Sequence, residues 1–327
     1  MKDRPKKSFK GRQAPQPKLP RPLREPGGIG GGRPIARETA PSPTPSADAP
    51  TSPATHWGEV ADWYDQLVGE GGSEFHREIV LPGAMRLLAV KAGDEVLDIA
   101  CGQGVLCRLL SRQGVASVGI DAAPDLIRMA KDRNAQLPEG ALRPVYQLGD
   151  ARDLSGLAEN HFAAAACLLA IQNMNPIAPV FRGVARALKG MGRFVIVMMH
   201  PCFRGPKETH WGWDDRNMVQ YRRVDRYLSP RKVPIVTHPG KGKDYTWTFH
   251  KPIEAYVKAL RNAGLLVDAL EEWASHKIST SGPRAGAENT ARKEIPLFMA
   301  IRGIKMTAAN LEDDESAGSA ATGDEAT

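Results

Sequence analysis

Between residues 57 and 310, short apolar runs alternate with stretches of helical periodicity. The run Glu95-Val-Leu-Asp-Ile follows the turn signal Lys91-Ala-Gly-Asp and predicts a strand. Residues 104–113 predict a helix, with Val105, Leu106, Leu109 and Leu110 on one face. A second strand is predicted at 116–120. A helix should then open at Pro124, where a first turn tolerates proline, and carry Leu126, Ile127 and Ala130. Further strands are predicted at 144–148 and, alanine-rich, at 162–169, followed by a helix over 179–188 closed by Gly190. Residues 192–199 predict a fifth strand, apolar without a break from Phe194 to Met199, as in a strand buried on both faces. The C-terminal third predicts a helix over 252–263 closed by Gly264, a strand at 265–273, a polar segment at 275–293 and a last strand at 295–301. This alternation implies βαβ units around a parallel sheet: an α/β, doubly wound fold.

Residues 200–250 break that rhythm. They hold four of the eight histidines, three of the six tryptophans, and ten Lys and Arg against five acids. Because the segment follows the fifth strand and precedes the next helix, it is expected to form a lid. Its basic excess and its aromatic side chains suggest an anionic or aromatic ligand beneath.

Composition bounds the domain. Twelve of the 26 prolines fall in residues 1–53, and residues 1–38 carry eleven bases against three acids. Residues 312–327 carry six acids and no base. Such ends bury little apolar surface to offset their ordering entropy, so 1–53 and 311–327 are expected to be disordered tails around a domain at 54–310. No apolar run reaches the ~18–20 residues of a membrane span, and no apolar core follows the basic start as a secretory signal requires. Cys101, Cys107, Cys167 and Cys202 form no Cys-x-x-Cys pair and read as reduced thiols, which makes the cytoplasm the expected compartment. His200 and Cys202 have no companion pair at metal-ligand spacing, so no metal site is expected.

The sharpest local signal is Val96-Leu-Asp-Ile-Ala-Cys-Gly-Gln-Gly, running from strand into helix. Glycines there allow a tight turn and a close ligand approach. A dinucleotide site would want a third glycine where Cys107 stands, and the carboxylate of Asp98 would repel a pyrophosphate. The same carboxylate would attract the ammonium of an amino-acid moiety, which S-adenosylmethionine carries without any phosphate. Asp121 directly follows the second strand, 23 residues after Asp98, an offset suited to ribose hydroxyls. Asp150 follows the third strand, where an acid can accept from an adenine amino group. All three acids fall at carboxyl ends of consecutive strands, the edge at which open α/β sheets bind ligands.

On these residues the chain resembles the class I S-adenosylmethionine-dependent methyltransferases, over about residues 57–304. Asp98, Gly102 and Gly104 match the family's glycine-rich motif, with Ala100 where glycine is frequent and Cys101 as small filler. Asp121 with Ala122 matches the ribose acid, and Asp150 with Ala151 the adenine-side acid. Residues 170–173 resemble the loop after strand four and put Gln172 near the cofactor; Asp62-Trp-Tyr-Asp resembles a covering helix and puts Tyr64 there too. The resemblance implies a Rossmann-like, mainly parallel seven-stranded sheet with an antiparallel last strand and an inserted lid, and in-line transfer of a methyl group to a small-molecule acceptor. His200, directly after the fifth strand, is the candidate general base. Two other readings stay open: an RNA or protein acceptor tethered by the basic tail, and a cofactor-binding protein without turnover. A nicotinamide oxidoreductase is disfavoured by Asp98 and Cys107, and the sequence is silent on oligomeric state.

Overall fold

The computed structural model describes residues 61–236 and 245–307; the predicted tails lie outside the described residues. Helix α1 (Ala61–Val68) precedes a π-helical turn (His76–Val80) that continues into α2 (Leu81–Leu88). Strand β1 (Glu95–Ile99), α3 (Val105–Ser111), β2 (Ala116–Asp121), α4 (Pro124–Asn134), β3 (Val145–Leu148) and β4 (Phe162–Leu168) follow. A 3-10 turn (Ile171–Asn173), α5 (Ala178–Ala187) and β5 (Leu188–Met199) complete the central units. Next come two hairpins, β6 (Thr209–Asp214) with β7 (Val219–Val224) and β8 (Arg231–Val236) with β9 (Tyr245–His250). The chain then forms α6 (Ile253–Asn262), β10 (Leu265–Trp273), α7 (Ala285–Glu294) and β11 (Phe298–Lys305).

The main sheet has seven strands in the order β10-β11-β5-β4-β1-β2-β3. Strands β1 to β5 pair in parallel, and β11 runs antiparallel to both β5 and β10. This is the doubly wound sheet with an antiparallel last strand that the sequence led us to expect. Strand β5 shows why its residues are apolar without alternation. Phe194, Ile196 and Met198 enter the core on one face, whereas Val195 and Val197 enter the core on the other. The alanines of β4 divide in the same way: Ala165 joins the first core, and Ala164 and Ala166 the second, where α2 lies close.

Two segments left without an assigned element acquire one, and two expected boundaries need correction. The insert is built of two antiparallel hairpins, its aromatic and β-branched residues alternating as half-buried strands do. The polar segment 275–293 is not all loop but contains most of α7, whose exposed, alanine-rich face buries only Ala291 and so left little apolar periodicity to read. Gly190 does not close a helix: α5 ends at Ala187, and the chain enters β5 at Leu188 by pairing with Phe162. The last strand starts at Phe298 rather than at residue 295.

Candidate functional site

The turn after β1 is shaped by left-handed backbone. Ala100, Gly102 and Gly104 have φ of 56°, 55° and 82°. Gly104 is the position where glycine is compelled twice, by this φ and by the Tyr146 hydroxyl standing where a Cβ would project. Asp121 ties the turn to β2: one carboxylate oxygen accepts from the Gly102 N–H and the other from the Ala123 N–H, each at 2.9 Å. Ala123 is the N-cap residue of α4, so Asp121 joins the glycine turn to the start of that helix. Burial pushes the Asp121 carboxyl up from its ordinary value, against the pull of those backbone N–H groups.

Helix α1 covers this turn. The Tyr64 ring lies against Gly102, and its hydroxyl is pushed above the usual phenol range by burial and by the negative charge of Asp121. Asp65 on the same helix takes a bidentate ion pair from Arg133 of α4, at 2.6 and 2.8 Å. Gln103, inside the glycine turn and 1% exposed, donates to the Gly69 carbonyl at 2.6 Å and accepts from Arg108 at 2.8 Å and from Arg133. The residue between the two motif glycines therefore fastens α1 onto the turn.

These elements open on a cavity of about 430 Å³ at the carboxyl ends of the parallel strands. One half of its wall is Tyr64, Ala100, Gly102, Asp121, Ala122 and Leu126, continued by Gly149, Asp150, Ala151 and Arg152. Arg152 holds Asp150 through its Nε at 3.0 Å to both carboxylate oxygens, which keeps that carboxyl below its ordinary value. The other half comes from the segment after β4, including Leu168, Leu169, Asn173 and Met174, and from Lys232, Thr246, Trp247 and Phe249 of the β8–β9 hairpin. Two bonds draw that hairpin onto the 3-10 turn region: Thr248 Oγ1 donates to the Gln172 carbonyl at 3.3 Å, and Lys251 Nζ to the Met174 carbonyl at 3.2 Å.

Of the residues expected here, Tyr64, Ala100, Gly102, Asp121, Ala122, Asp150 and Ala151 line the cavity. Asp98 does not. It is 3% exposed, its Oδ2 accepts from the Cys107 thiol at 3.4 Å, and burial pushes its carboxyl up to about 7. Cys101 and Gly104 also lie off the wall, Cys101 filling space beside Ile127 and Tyr146. Gln172 is off the wall as well: in the tight 3-10 turn, Asn173 is the residue that faces the cavity.

His200 requires the largest correction. It is 1% exposed and absent from the cavity wall. Its Nδ1 accepts from the N–H groups of Cys202 and Phe203 at 3.2 and 3.3 Å, so Nε2 carries the proton and donates to Glu272 at 2.6 Å. With its acceptor nitrogen so engaged, the ring fixes the exit from β5 and has no lone pair to offer a substrate. Trp211 and Tyr221 do not reach the cavity either; Trp211 lies beneath the guanidinium groups of Arg204 and Arg222, each 5.0 Å from its ring. The segment after β10 braces the other hairpin, α7 lying against β7.

The residues sequence reasoning missed are Lys232, Thr246, Trp247 and Phe249; Asn173 lay within the segment 170–173 read as lining the pocket, where Gln172 was the residue singled out. A signal for three of them was present: Tyr245-Thr-Trp-Thr-Phe-His alternates aromatic and β-branched residues with the period of a strand.

The wall fits an adenosine and amino-acid ligand. Asp121 keeps lone pairs beyond its two backbone bonds, suited to ribose hydroxyls, and Ile120, Ala122 and Leu126 supply an apolar flank. A family model described as a methyltransferase domain matches residues 97–196, which span β1 to β5. The chain is 34% identical over 227 residues to the 2-phytyl-1,4-naphtoquinone methyltransferase of Synechococcus elongatus, covering 68% of this chain and 90% of that protein. It is 25% identical to the demethylmenaquinone methyltransferase of Tropheryma whipplei, covering 67% and 79%. An S-adenosylmethionine-dependent methyltransferase structure from Mesorhizobium loti superposes with a TM-score of 0.54 at 25% identity, covering 68% of this chain and 96% of the other. Glycine turn, strand-end acids, sheet order and relatives agree: the chain belongs to the class I S-adenosylmethionine-dependent methyltransferases and is an enzyme that uses S-adenosylmethionine.

Proposed function

We propose that this enzyme transfers a methyl group to a small, planar acceptor held between the segment after β4 and the β8–β9 hairpin. The observation that carries the reading is a single cavity with the Asp121 turn on one side and Trp247, Phe249 and Lys232 on the other. Flat apolar side chains suit an aromatic ring, and two of the relatives are a 2-phytyl-1,4-naphtoquinone methyltransferase and a demethylmenaquinone methyltransferase. A folded polypeptide or RNA duplex is poorly suited to a cavity of about 430 Å³, a size typical of small organic ligands.

When bound, S-adenosylmethionine supplies a methyl group already activated by its sulfonium. Asp121 then holds the ribose, Tyr64 closes the cofactor end against water, and the hairpin aligns the acceptor atom behind the methyl carbon. Among the described residues, the acceptor half of the wall offers Lys232 as its titratable group and no carboxylate or imidazole. An acceptor whose reacting atom ionises readily, with Lys232 as counter-ion, matches that wall. His200 has no part in proton removal. The four cysteines are free thiols, which favours the cytoplasm, and among the described residues no helix is long and apolar enough to cross a membrane.

Calorimetric titration of the full chain with S-adenosylhomocysteine and, separately, NADH tests the cofactor end. Mass-shift screening of hydroxylated aromatic compounds, total RNA and a protein lysate tests the acceptor. Micromolar binding of the first ligand with methylation confined to small aromatic compounds is expected; methylated RNA or protein would overturn the acceptor reading.

A further inference from the structure

Eight buried side-chain oxygen or nitrogen atoms have no hydrogen-bond partner among the described residues, and two of them, Asn173 Oδ1 and Thr246 Oγ1, belong to residues of the cavity wall. They come from different parts of the chain: Asn173 from the 3-10 turn after β4, Thr246 from β9 of the insert. Thr246 is 1% exposed. A buried polar atom left unpaired is costly, and such atoms on a ligand site are those a ligand satisfies. Elsewhere on the wall Asp121 already accepts from two backbone N–H groups, Asp150 is held by Arg152, and the Lys232 ammonium lies 3.9 Å from the Trp247 ring.

We infer that Asn173 and Thr246 are the specificity-determining pair of the acceptor site, and that they select a planar aromatic acceptor bearing an O–H or N–H donor. This rests on the small-acceptor reading above. A carboxamide oxygen can only accept a hydrogen bond, so Asn173 Oδ1 demands a donor from the ligand, whereas the Thr246 hydroxyl can donate in return. A ring hydroxyl offers both a donor and an acceptor. A flat ring without such a donor fills the space beside Trp247 and Phe249 but leaves Asn173 Oδ1 buried and unpaired, which is a strong basis for discrimination.

The test uses the full chain saturated with S-adenosylhomocysteine, titrated with 2,6-dihydroxynaphthalene and with 2,6-dimethoxynaphthalene. The wild type should bind the dihydroxy ring at least tenfold more tightly. Thr246→Val and Asn173→Leu keep the branching of each side chain and should each reduce that preference severalfold with little change in melting temperature, because Thr246 Oγ1 and Asn173 Oδ1 have no hydrogen-bond partner among the described residues. Their affinity for S-adenosylhomocysteine should be unchanged; a loss in either variant would assign that oxygen to the cofactor and overturn the proposal. Equal binding of the two rings, no binding of either, or a preference that persists in both variants and is therefore steric, would overturn it as well. Failure of the wild type to bind S-adenosylhomocysteine would instead remove the reading on which it rests.

Discussion

Asp121→Ala separates two tasks that one carboxylate performs. In the protein it accepts two N–H bonds of 2.9 Å, from Gly102 and Ala123, which fasten the glycine turn to the end of β2. Hydrogen bonds to a charged acceptor contribute about 1.5–3 kcal/mol each. Water can enter the space that alanine leaves beside the two N–H groups, so part of this is replaced, and a total of about 2–4 kcal/mol of folding stability is expected to be lost. Towards the ligand the same group is expected to hold the ribose, and its removal should weaken S-adenosylhomocysteine about tenfold to a hundredfold. Asp121→Asn keeps one acceptor oxygen but turns an amide N–H towards the second backbone donor, so it should fall between wild type and alanine in stability. Urea denaturation of the ligand-free protein gives the first quantity from the midpoint at constant slope. Calorimetry well below that midpoint gives the second. An alanine variant with an unchanged urea midpoint would refute the tether, and one that binds S-adenosylhomocysteine within twofold of wild type would refute the ribose contact.

Asp98 makes the ligand-free protein sensitive to pH. Its folded carboxyl titrates at about 7, because of burial, against a reference of 3.8. The folded state therefore holds the proton more tightly, and stability should fall as pH rises from about 4 to about 7; melting curves of Asp98→Asn should be flatter across that window, and identical slopes in variant and wild type would refute this. His200→Gln should lower stability yet leave the shape of the pH–rate profile intact, since the ring touches Glu272 and backbone and not the cavity; disappearance of an ionisation from that profile would restore the histidine as base. Gly104→Ala places a Cβ at φ 82° against the Tyr146 hydroxyl. About 1–2 kcal/mol for the left-handed backbone and about 1–3 kcal/mol for overpacking should add, with partial recovery in a Tyr146→Phe background, and urea titration of the three proteins checks it.

The central sheet was legible because its signals are local. Strand β1 was bounded correctly at Glu95–Ile99, and β2 and β3 to within a residue, since turn residues flank short apolar runs there. Helix α7 was not, because an alanine-rich amphipathic stretch with one buried residue carries little periodicity. Within the site, Asp121 and Asp150 could be placed from sequence because the end of a parallel strand fixes which edge of the sheet an acid reaches. Gln172 and His200 could not, because a tight turn and a strand exit are aimed by their surroundings. A single residue's phase in the 3-10 turn moved Asn173 onto the wall in place of Gln172, and the N–H groups of Cys202 and Phe203 turned His200 inward.

What the sequence determined by itself was therefore the doubly wound order of strands and helices, the glycine turn, and the acids at the strand ends. All of these follow from patterns within a few residues. Tertiary structure alone decided that Gln103 fastens α1 over the turn, that Asp98 sits off the cavity wall, and that Thr246 and Asn173 line the same cavity. The Gln103 contacts join residues 34 and 30 positions apart, Gln103 with Gly69 and Gln103 with Arg133, and the cavity wall brings in Asn173 and Thr246, 73 positions apart. No local periodicity encodes such pairings; only the packing of helices and hairpins on the finished sheet brings them together.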